Sequence, residues 1–483
     1  MTSVVDDMLS EQYEFRDPIH GLIPLNKAEK ALIDSEPFQR LRNIKQLGTS
    51  YKVYHGAEHT RFGHSIGVMH IVGKIFDSLY NQPNFKLKQQ WEEDEFKRYR
   101  QITRIAGLLH DLGHGPFSHV GENEKYGLFP KIQDVDKQER SGHEVYSRRI
   151  INDVLGDMID ENFKDYDITA EDVLTVLLGH STDKHHRFMD EMIDGQLDAD
   201  KMDYLLRDSH HCGVQYGVYD IVKLINSLTI CPSKFDEWQL GVSTDGVHVV
   251  EEFIFARYWM FLQVYFHKTR RIFDYYLSES ISKSYSTGYP VELSEYLKMD
   301  DVTVIERLRM EVAGGRNDWA KLYFSRPHLK EAFVSKPHLE EDEEVDKVGW
   351  VIQKFMEKYG EETNYIDQAK GKSAKSLINI NRFLEEGQEE GDESLPAIPV
   401  LNKYTDEVFP IQDLSLPLSI ISDKQINVLR IYSTDNLIDE VREFCHEKFY
   451  KEYSVHAKKM QEIQEQWEKE KREKEERKKF VQR

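Results

Sequence analysis

The densest polar string in the chain is HDLGHGPFSH, His110 to His119, in which imidazoles and a carboxylate crowd together just where an apolar helical stripe ends. A carboxylate supplies a hard oxygen and imidazole a borderline nitrogen, so adjacent His110 and Asp111 can share one cation. Gly113, Gly115 and Pro116 let the backbone turn tightly beside them. A polar helix terminus would account for one such histidine, through the helix dipole. It does not account for a string of this density. Two ligands do not close a site, and the best candidates to complete it are His64, from an earlier helix, and an aspartate of the segment Asp198 to Asp208, DADKMDYLLRD. A position would stay open for water and a phosphate oxygen, which is the layout of metal-assisted hydrolysis.

Three helices must deliver these groups. Ile102, Ile105, Ala106 and Leu109 form an apolar stripe at helical spacing that runs directly into His110. His64, Gly67, Val68, Ile71 and Ile75 share a face behind Thr60, a candidate N-cap. Leu197, Lys201, Tyr204 and Leu205 repeat at similar intervals between Asp194 and Arg207. Farther along, the aromatic stretch between about Phe253 and Tyr276 lacks breakers and predicts one long, mostly buried helix. The acidic segments Leu339 to Asp346 and Glu385 to Glu393 read as exposed loops. Pro417 to Ser433 suggests two strands, and Leu437, Ile438, Val441, Phe444 and Cys445 fall on one helix face. Beyond about His456 the chain is Lys- and Glu-rich, with Met460, Ile463 and Trp467 at heptad-like spacing, and reads as a solvated helix or tail. The fold class expected is mainly α, with a small α+β lobe near the C-terminus.

At 483 residues the chain can bury a large core without covalent staples. No apolar run approaches bilayer length, and MTSVVDDMLSEQYEF places acidic residues where a signal peptide needs positive charge. The three cysteines, Cys212, Cys231 and Cys445, are far apart and odd in number, which fits a reducing cytoplasm. The formal charge of −22 repels a polyanion and argues against nucleic acid as partner, while a small anionic substrate needs only a local basic cluster.

RDPIHG at Arg16, PFQRLRNIKQLG at Pro37, RFGHSIGV at Arg61, HDLGHGPFSH, and DADKMDYLLRDSHHCG at Asp198 occur in an order that resembles the HD-domain dNTP triphosphohydrolases, a family that includes a vertebrate virus-restricting enzyme. The resemblance runs from about Asp17 to Lys268 and implies an HD-type helical core. It implies that His64, His110, Asp111 and Asp200 hold a divalent cation, with manganese, iron, zinc, nickel and magnesium all compatible. It also implies that His114, His119 and His143, with Glu144, line the cleavage site, His119 giving a proton to the leaving 5′-oxygen. The family's next carboxylate is an aspartate, and here it is Glu122, a longer arm. Phosphate and sugar contacts would fall on Gln46, Arg61, Lys201, Tyr204, Asp208, Arg257 and Tyr265. An effector nucleotide would meet Asp34, Gln39 and Arg42, and a second one Val53, Tyr54, His267 and Lys268. Gln263 and Tyr13 stand where the family carries positive charge near these effector sites.

The function implied is hydrolysis of a dNTP to deoxynucleoside and inorganic triphosphate by a cytoplasmic homotetramer that a guanine nucleotide such as dGTP activates, magnesium accompanying the nucleotides. The alternatives are another HD phosphohydrolase, acting on an alarmone, a cyclic nucleotide or a monophosphate, and a non-catalytic nucleotide-sensing scaffold. Gly288, Tyr289 and Pro290 match the GYP of cyclic-dinucleotide phosphodiesterases, but the elements that should precede it are absent. The domain division expected is a core with regulatory segment over 1–285, a helical extension over 286–399, the α+β lobe over 400–452 and a charged tail over 453–483. The vertebrate member's N-terminal interaction domain is not expected here.

Overall fold

In the computed structural model of this protein, residues 13–449 are described apart from 83–90, 123, 182, 233–236, 326–328, 338–341, 361–363, 371–397 and 422–425. The chain divides into two compact units, Met1–Arg326 with Ser376–Asp423, and Pro327–Lys375 with Lys424–Arg483. No helix among the described residues is long and apolar enough to cross a membrane.

The first unit is mainly helical, and six of its helices matter to the site: α1 (Arg61–Asn81), α2 (Glu93–Leu109), α3 (His143–Asp153), α4 (Ala199–Cys212), α5 (Val247–Met260) and α6 (Lys268–Ser284). α1 starts where expected, although the Thr60 side chain makes no capping bond, and the Arg61 N–H donates to Ile44 O instead. The apolar positions of α1 and α2 interlock, burying Val68, Ile71, Val72 and Ile75 against Ile105, Ala106 and Leu109. α4 begins at Asp198, whose carboxylate accepts from the Lys201 N–H, and it stops at Gly213, whose φ of +69° suits a residue without a side chain.

The chain enters through an antiparallel hairpin, Tyr13–Asp17 with Gly21–Leu25. Its turn is closed by Asp17 Oδ1, which accepts from the N–H groups of Ile19 (2.8 Å) and His20 (3.0 Å). Behind the hairpin, Arg104 of α2 forks onto the buried Glu29 carboxylate at 2.7 and 2.9 Å. Gln101 donates to the same carboxylate at 2.8 Å, so this ion pair lies dry and satisfied. A four-stranded sheet lies in the same unit, in the order Val408–Pro410, Pro399–Leu401, Trp238–Ser243, Leu228–Pro232.

The second unit is the small α+β lobe. Lys330–Val334 and Asn364–Lys370 flank the central strand Asn427–Ser433, all antiparallel. Helices α7 (Asp342–Tyr359) and α8 (Ile438–Glu447) bring Val351, Phe355, Val441 and Cys445 against Phe333, Leu429 and Ile431.

Several local expectations change. The aromatic stretch is not one helix: α5 ends at Met260, Phe261–Tyr265 forms a π-helical turn, and α6 restarts after His267. Among its described residues Pro417 to Ser433 gives one strand, because Leu416–Ile421 is a helical turn. Asp342 to Asp346, read as loop, opens α7, since acidic residues suit a helix N-terminus. The lobe is also assembled differently from the segment 400–452, because its first strand and α7 come from before residue 375 while 399–421 packs with the first unit. The acidic segment Glu385 to Glu393 and the tail beyond His456 lie outside the described residues. All three cysteines are buried and unpaired by disulfides.

Candidate metal centre

α1 gives His64, the end of α2 gives His110 and Asp111, and the first turn of α4 gives Asp200. His64 Nε2 lies 3.0 Å from Asp200 Oδ1 and 3.5 Å from Asp111 Oδ2. His110 Nε2 lies 3.3 Å from Asp111 Oδ1 and 3.8 Å from Asp200 Oδ1. The structure therefore brings ligand atoms of His64, His110 and Asp200 within 4.8 Å of one another and sets Asp111, paired with Arg61, beside both histidines.

The far sides of the two rings settle their tautomers. His110 Nδ1 faces Gly107 O at 2.9 Å, and His64 Nδ1 faces Asp203 Oδ2 at 2.8 Å. A carbonyl or carboxylate oxygen only accepts, so both Nδ1 atoms carry the proton and, in the neutral rings, both Nε2 atoms carry lone pairs. Those Nε2 atoms are buried and have no hydrogen-bond partner of acceptable geometry. Buried orphan atoms are uncommon, and two aimed at the same pair of carboxylates fit a divalent cation. Electrostatics agree: burial opposes charge on His64, yet the carboxylates of Asp200 and Asp203 push its pKa up to about 10. The pocket favours a positive charge. Asp111 is held well below the usual carboxylate range against the effect of burial, by Arg61, His110 and His114.

A second group adjoins the first through Asp111 Oδ1, which lies 3.3 Å from His114 Nε2. Here Glu122 is the hub. It meets His119 Nδ1 at 2.6 Å, hydrogen-bonds His143 Nδ1, and lies 3.6 Å from His114 Nδ1. The longer arm of glutamate thus reaches all three rings. His114 and His143 stack at 3.7 Å between centroids with planes 14° apart. Parallel rings cannot both aim their lone pairs at one ion, so this group suits proton handling rather than a second cation. Burial, Arg61 and His143 hold the His114 pKa well below the ordinary value, while Glu122 raises that of His143 against burial. His119 is the open member, its side chain 65% exposed. Glu144 is not brought into the group: its side chain is 71% exposed and sits 3.9 Å from Arg148.

The loop that carries these histidines is held in an unusual conformation, Phe117 and Ser118 having φ of +60° and +53°. Buried Asp301 accepts from the Phe117 N–H (2.6 Å), and Ser118 Oγ donates to Lys45 O (2.7 Å) and accepts from Arg61 Nε (2.9 Å). Strain of this kind persists only where surrounding contacts over-determine it.

Of the expected substrate residues, Lys201, Tyr204 and Asp208 lie on α4. Tyr265 OH donates to Asp208 Oδ2 at 2.7 Å, and the rings of Tyr204 and Tyr265 meet edge to face at 6.2 Å. Arg61 pairs with Asp111, Lys201 Nζ is held by Asp198 and Gly195 O, and Arg257 is buried. Gln46 Oε1 is buried with no hydrogen-bond partner. Of the effector residues, Gln39 Oε1 accepts from Arg42 Nε at 2.8 Å, Arg42 lies over the Phe62 ring, and Asp34 pairs with Lys30 at the surface. Tyr54 meets His267 edge to face at 5.8 Å, while Val53 is half-buried and Lys268 exposed.

Sequence reasoning missed the residues behind the ligands. Asp203, Arg207, His20 and Asp17 form a buried relay under His64, and His59 Nε2 backs Asp208 at 2.8 Å. The i, i+3 spacing of Asp200 and Asp203 on α4 was the available signal.

The HD domain family model matches residues 61–208 and the HD associated region model residues 219–381. The chain is 34% identical over 316 residues to the uncharacterized protein YwfO of Bacillus subtilis, covering 62% of this chain and 66% of that one. It is 30% identical to the deoxynucleoside triphosphate triphosphohydrolase SAMHD1 homolog of Dictyostelium discoideum, covering 59% and 50% of the two chains. It is 29% identical to SAMHD1 of Gallus gallus, covering 66% and 53%. The chain thus spans about half to two thirds of the length of these curated relatives. A hypothetical protein from Aquifex aeolicus superposes with a TM-score of 0.68 at 30% identity, covering 89% of this chain and 99% of that one. A phosphohydrolase of Bacteroides thetaiotaomicron shares the fold, with a TM-score of 0.63 at 21% identity over 88% and 100% of the chains. These matches make this chain a member of the HD-domain hydrolase family, in the branch that carries an HD-associated region and includes SAMHD1-type proteins.

Proposed function

We propose that the protein hydrolyses deoxynucleoside triphosphates to deoxynucleoside and inorganic triphosphate. The observation that carries this reading is the row of cationic and aromatic side chains beside the ligand cluster: Arg61 on Asp111, then Lys201 and Tyr204 on the turn that follows Asp200, with Tyr265 hooked to Asp208. A metal centre alone serves many phosphate esters, whereas guanidinium and ammonium groups suit phosphates and phenol rings suit a sugar. A divalent cation bound by His64, His110, Asp111 and Asp200 would lower the pKa of water and polarise a phosphoryl oxygen. Arg61, Lys201 and Arg257 neutralise the triphosphate. Tyr265, oriented by Asp208, packs at the deoxyribose and crowds out a 2′-hydroxyl. His119, opening to solvent and backed by Glu122, delivers the proton that the leaving 5′-oxygen needs.

Activation by a guanine nucleotide such as dGTP, through assembly of a homotetramer, extends the same reading. Its support is the placement of Gln39 with Arg42 in one contact and of Tyr54 with His267 in another. The test is chromatography of products after incubation with each dNTP and manganese or magnesium, with and without dGTP, beside His110→Ala. Deoxynucleoside and triphosphate, absent with the variant, are the expected products. Diphosphate or monophosphate products would assign the site to another phosphate ester. No turnover under any condition would leave a nucleotide-sensing scaffold.

A further inference from the structure

We infer that Asp203 is a positioning residue for the metal centre, and that the turn of the N-terminal hairpin holds it in place. Asp203 is fully buried, and its two oxygens serve four polar atoms at once. Oδ2 accepts from His64 Nδ1 (2.8 Å) and Arg207 Nε (2.7 Å), and Oδ1 from His20 Nε2 (2.7 Å) and the second guanidinium nitrogen of Arg207 (2.9 Å). The remaining arm of Arg207 reaches Asp17 Oδ2 at 2.8 Å, and Asp17 is the residue whose other oxygen closes the hairpin turn beside His20. The same helix thus supplies a ligand, Asp200, and one turn later the group that orients another ligand, His64. A hydrogen bond at Nδ1 fixes both the tautomer and the tilt of an imidazole, and partners of this kind hold metal affinity up by about 10–100-fold.

The opposite wall supplies an independent handle. A Cβ added at Gly67 of α1 would sit 1.9 Å from Asp203 Oδ1 and 2.6 Å from an Arg207 nitrogen. Gly67 is therefore the space into which the carboxylate fits. A methyl group there removes no polar atom, yet it must push Asp203 off His64.

The test is titration of the full chain, stripped by chelator, with Mn2+, reading free Mn2+ by its paramagnetic resonance. Wild type should bind, Asp203→Asn should weaken binding about 10–100-fold, Gly67→Ala should shift it in the same direction, and His20→Ala should shift it less. A merely structural role would lower the melting temperature of the metal-free variants and leave the affinity of the folded protein unchanged. Wild-type affinity in folded Asp203→Asn and Gly67→Ala would overturn the inference. Should either variant fail to fold, His20→Ala decides, because it removes one contact of four. The inference rests on the metal-centre reading but not on the substrate: absence of Mn2+ binding by wild type would sink the centre itself, whereas equal binding by wild type and variants would sink only the positioning.

Discussion

Two of the buried carboxylate–arginine forks in the first unit look alike and do different work. Glu29 with Arg104, and Asp203 with Arg207, are each bidentate, each dry, and each set against α1. At Glu29 the remaining acceptor capacity goes to neutral partners, the side chain of Gln101 and the backbone N–H of Asn26. At Asp203 it goes to two imidazoles, one of them His64, a proposed metal ligand. The fork itself is structural in both places. What its spare lone pairs hold decides whether a buried ion pair only ties helices together or also aims a reactive atom.

That contrast can be broken from either side. The largest effect belongs to the ligands: His110→Ala should reduce phosphohydrolysis to background while leaving the melting temperature near wild type, as product chromatography and a thermal scan would show. Next comes Glu29→Ala, which strands Arg104 in the core and should cost about 3–5 kcal/mol of stability. The Mn2+ affinity of its folded fraction should stay at the wild-type value, and a drop in that affinity would erase the distinction between the forks. Its pH signature follows from the sign of the shift. The folded-state pKa of Glu29 lies below 4.5, burial being outweighed by Arg104, so its stabilisation is complete above that value and is lost as pH falls through the folded pKa. Acid denaturation curves of wild type and Glu29→Gln should therefore converge at low pH. Tyr265→Phe is a smaller change, removing one hydrogen bond to a carboxylate worth about 1.5–3 kcal/mol; kcat/KM for dNTPs should fall about tenfold, chiefly through KM. The smallest effect is expected of Arg42→Ala, outside both forks, which should weaken dGTP activation several-fold at unchanged Mn2+ affinity.

The ligands were legible because helix geometry is local: the stripe Ile102, Ile105, Ala106, Leu109 ends at His110, and His64 shares a face with Val68 and Ile71. The aspartate that completes the set needed the resemblance, since the Asp198 to Asp208 segment offers Asp198, Asp200, Asp203 and Asp208 with nothing local to choose among them. Asp198 caps α4, Asp203 is buried under His64 and Asp208 accepts from Tyr265, and the last two fates are set by residues up to 183 positions away. The acidic start of α7 misled because charge without apolar content describes an exposed loop and a helix N-terminus equally well. The lobe's assembly was illegible for a related reason: its central strand pairs with two strands that precede it by about sixty to one hundred residues, and no window along the chain records such pairing.

The π-helical turn at Phe261–Tyr265 carries one residue more than an α-helical turn would. Counted as an insertion, it resets the phase of everything after it. Each residue advances an α-helix by about 100°, so deleting a single residue within this turn would leave a smoother helix and an intact apolar composition, yet it would swing the Tyr265 hydroxyl to a different side and unhook it from Asp208. A one-residue change in length here would leave every motif of the proposed metal centre in place and still move the Tyr265 side chain that the proposed sugar contact uses.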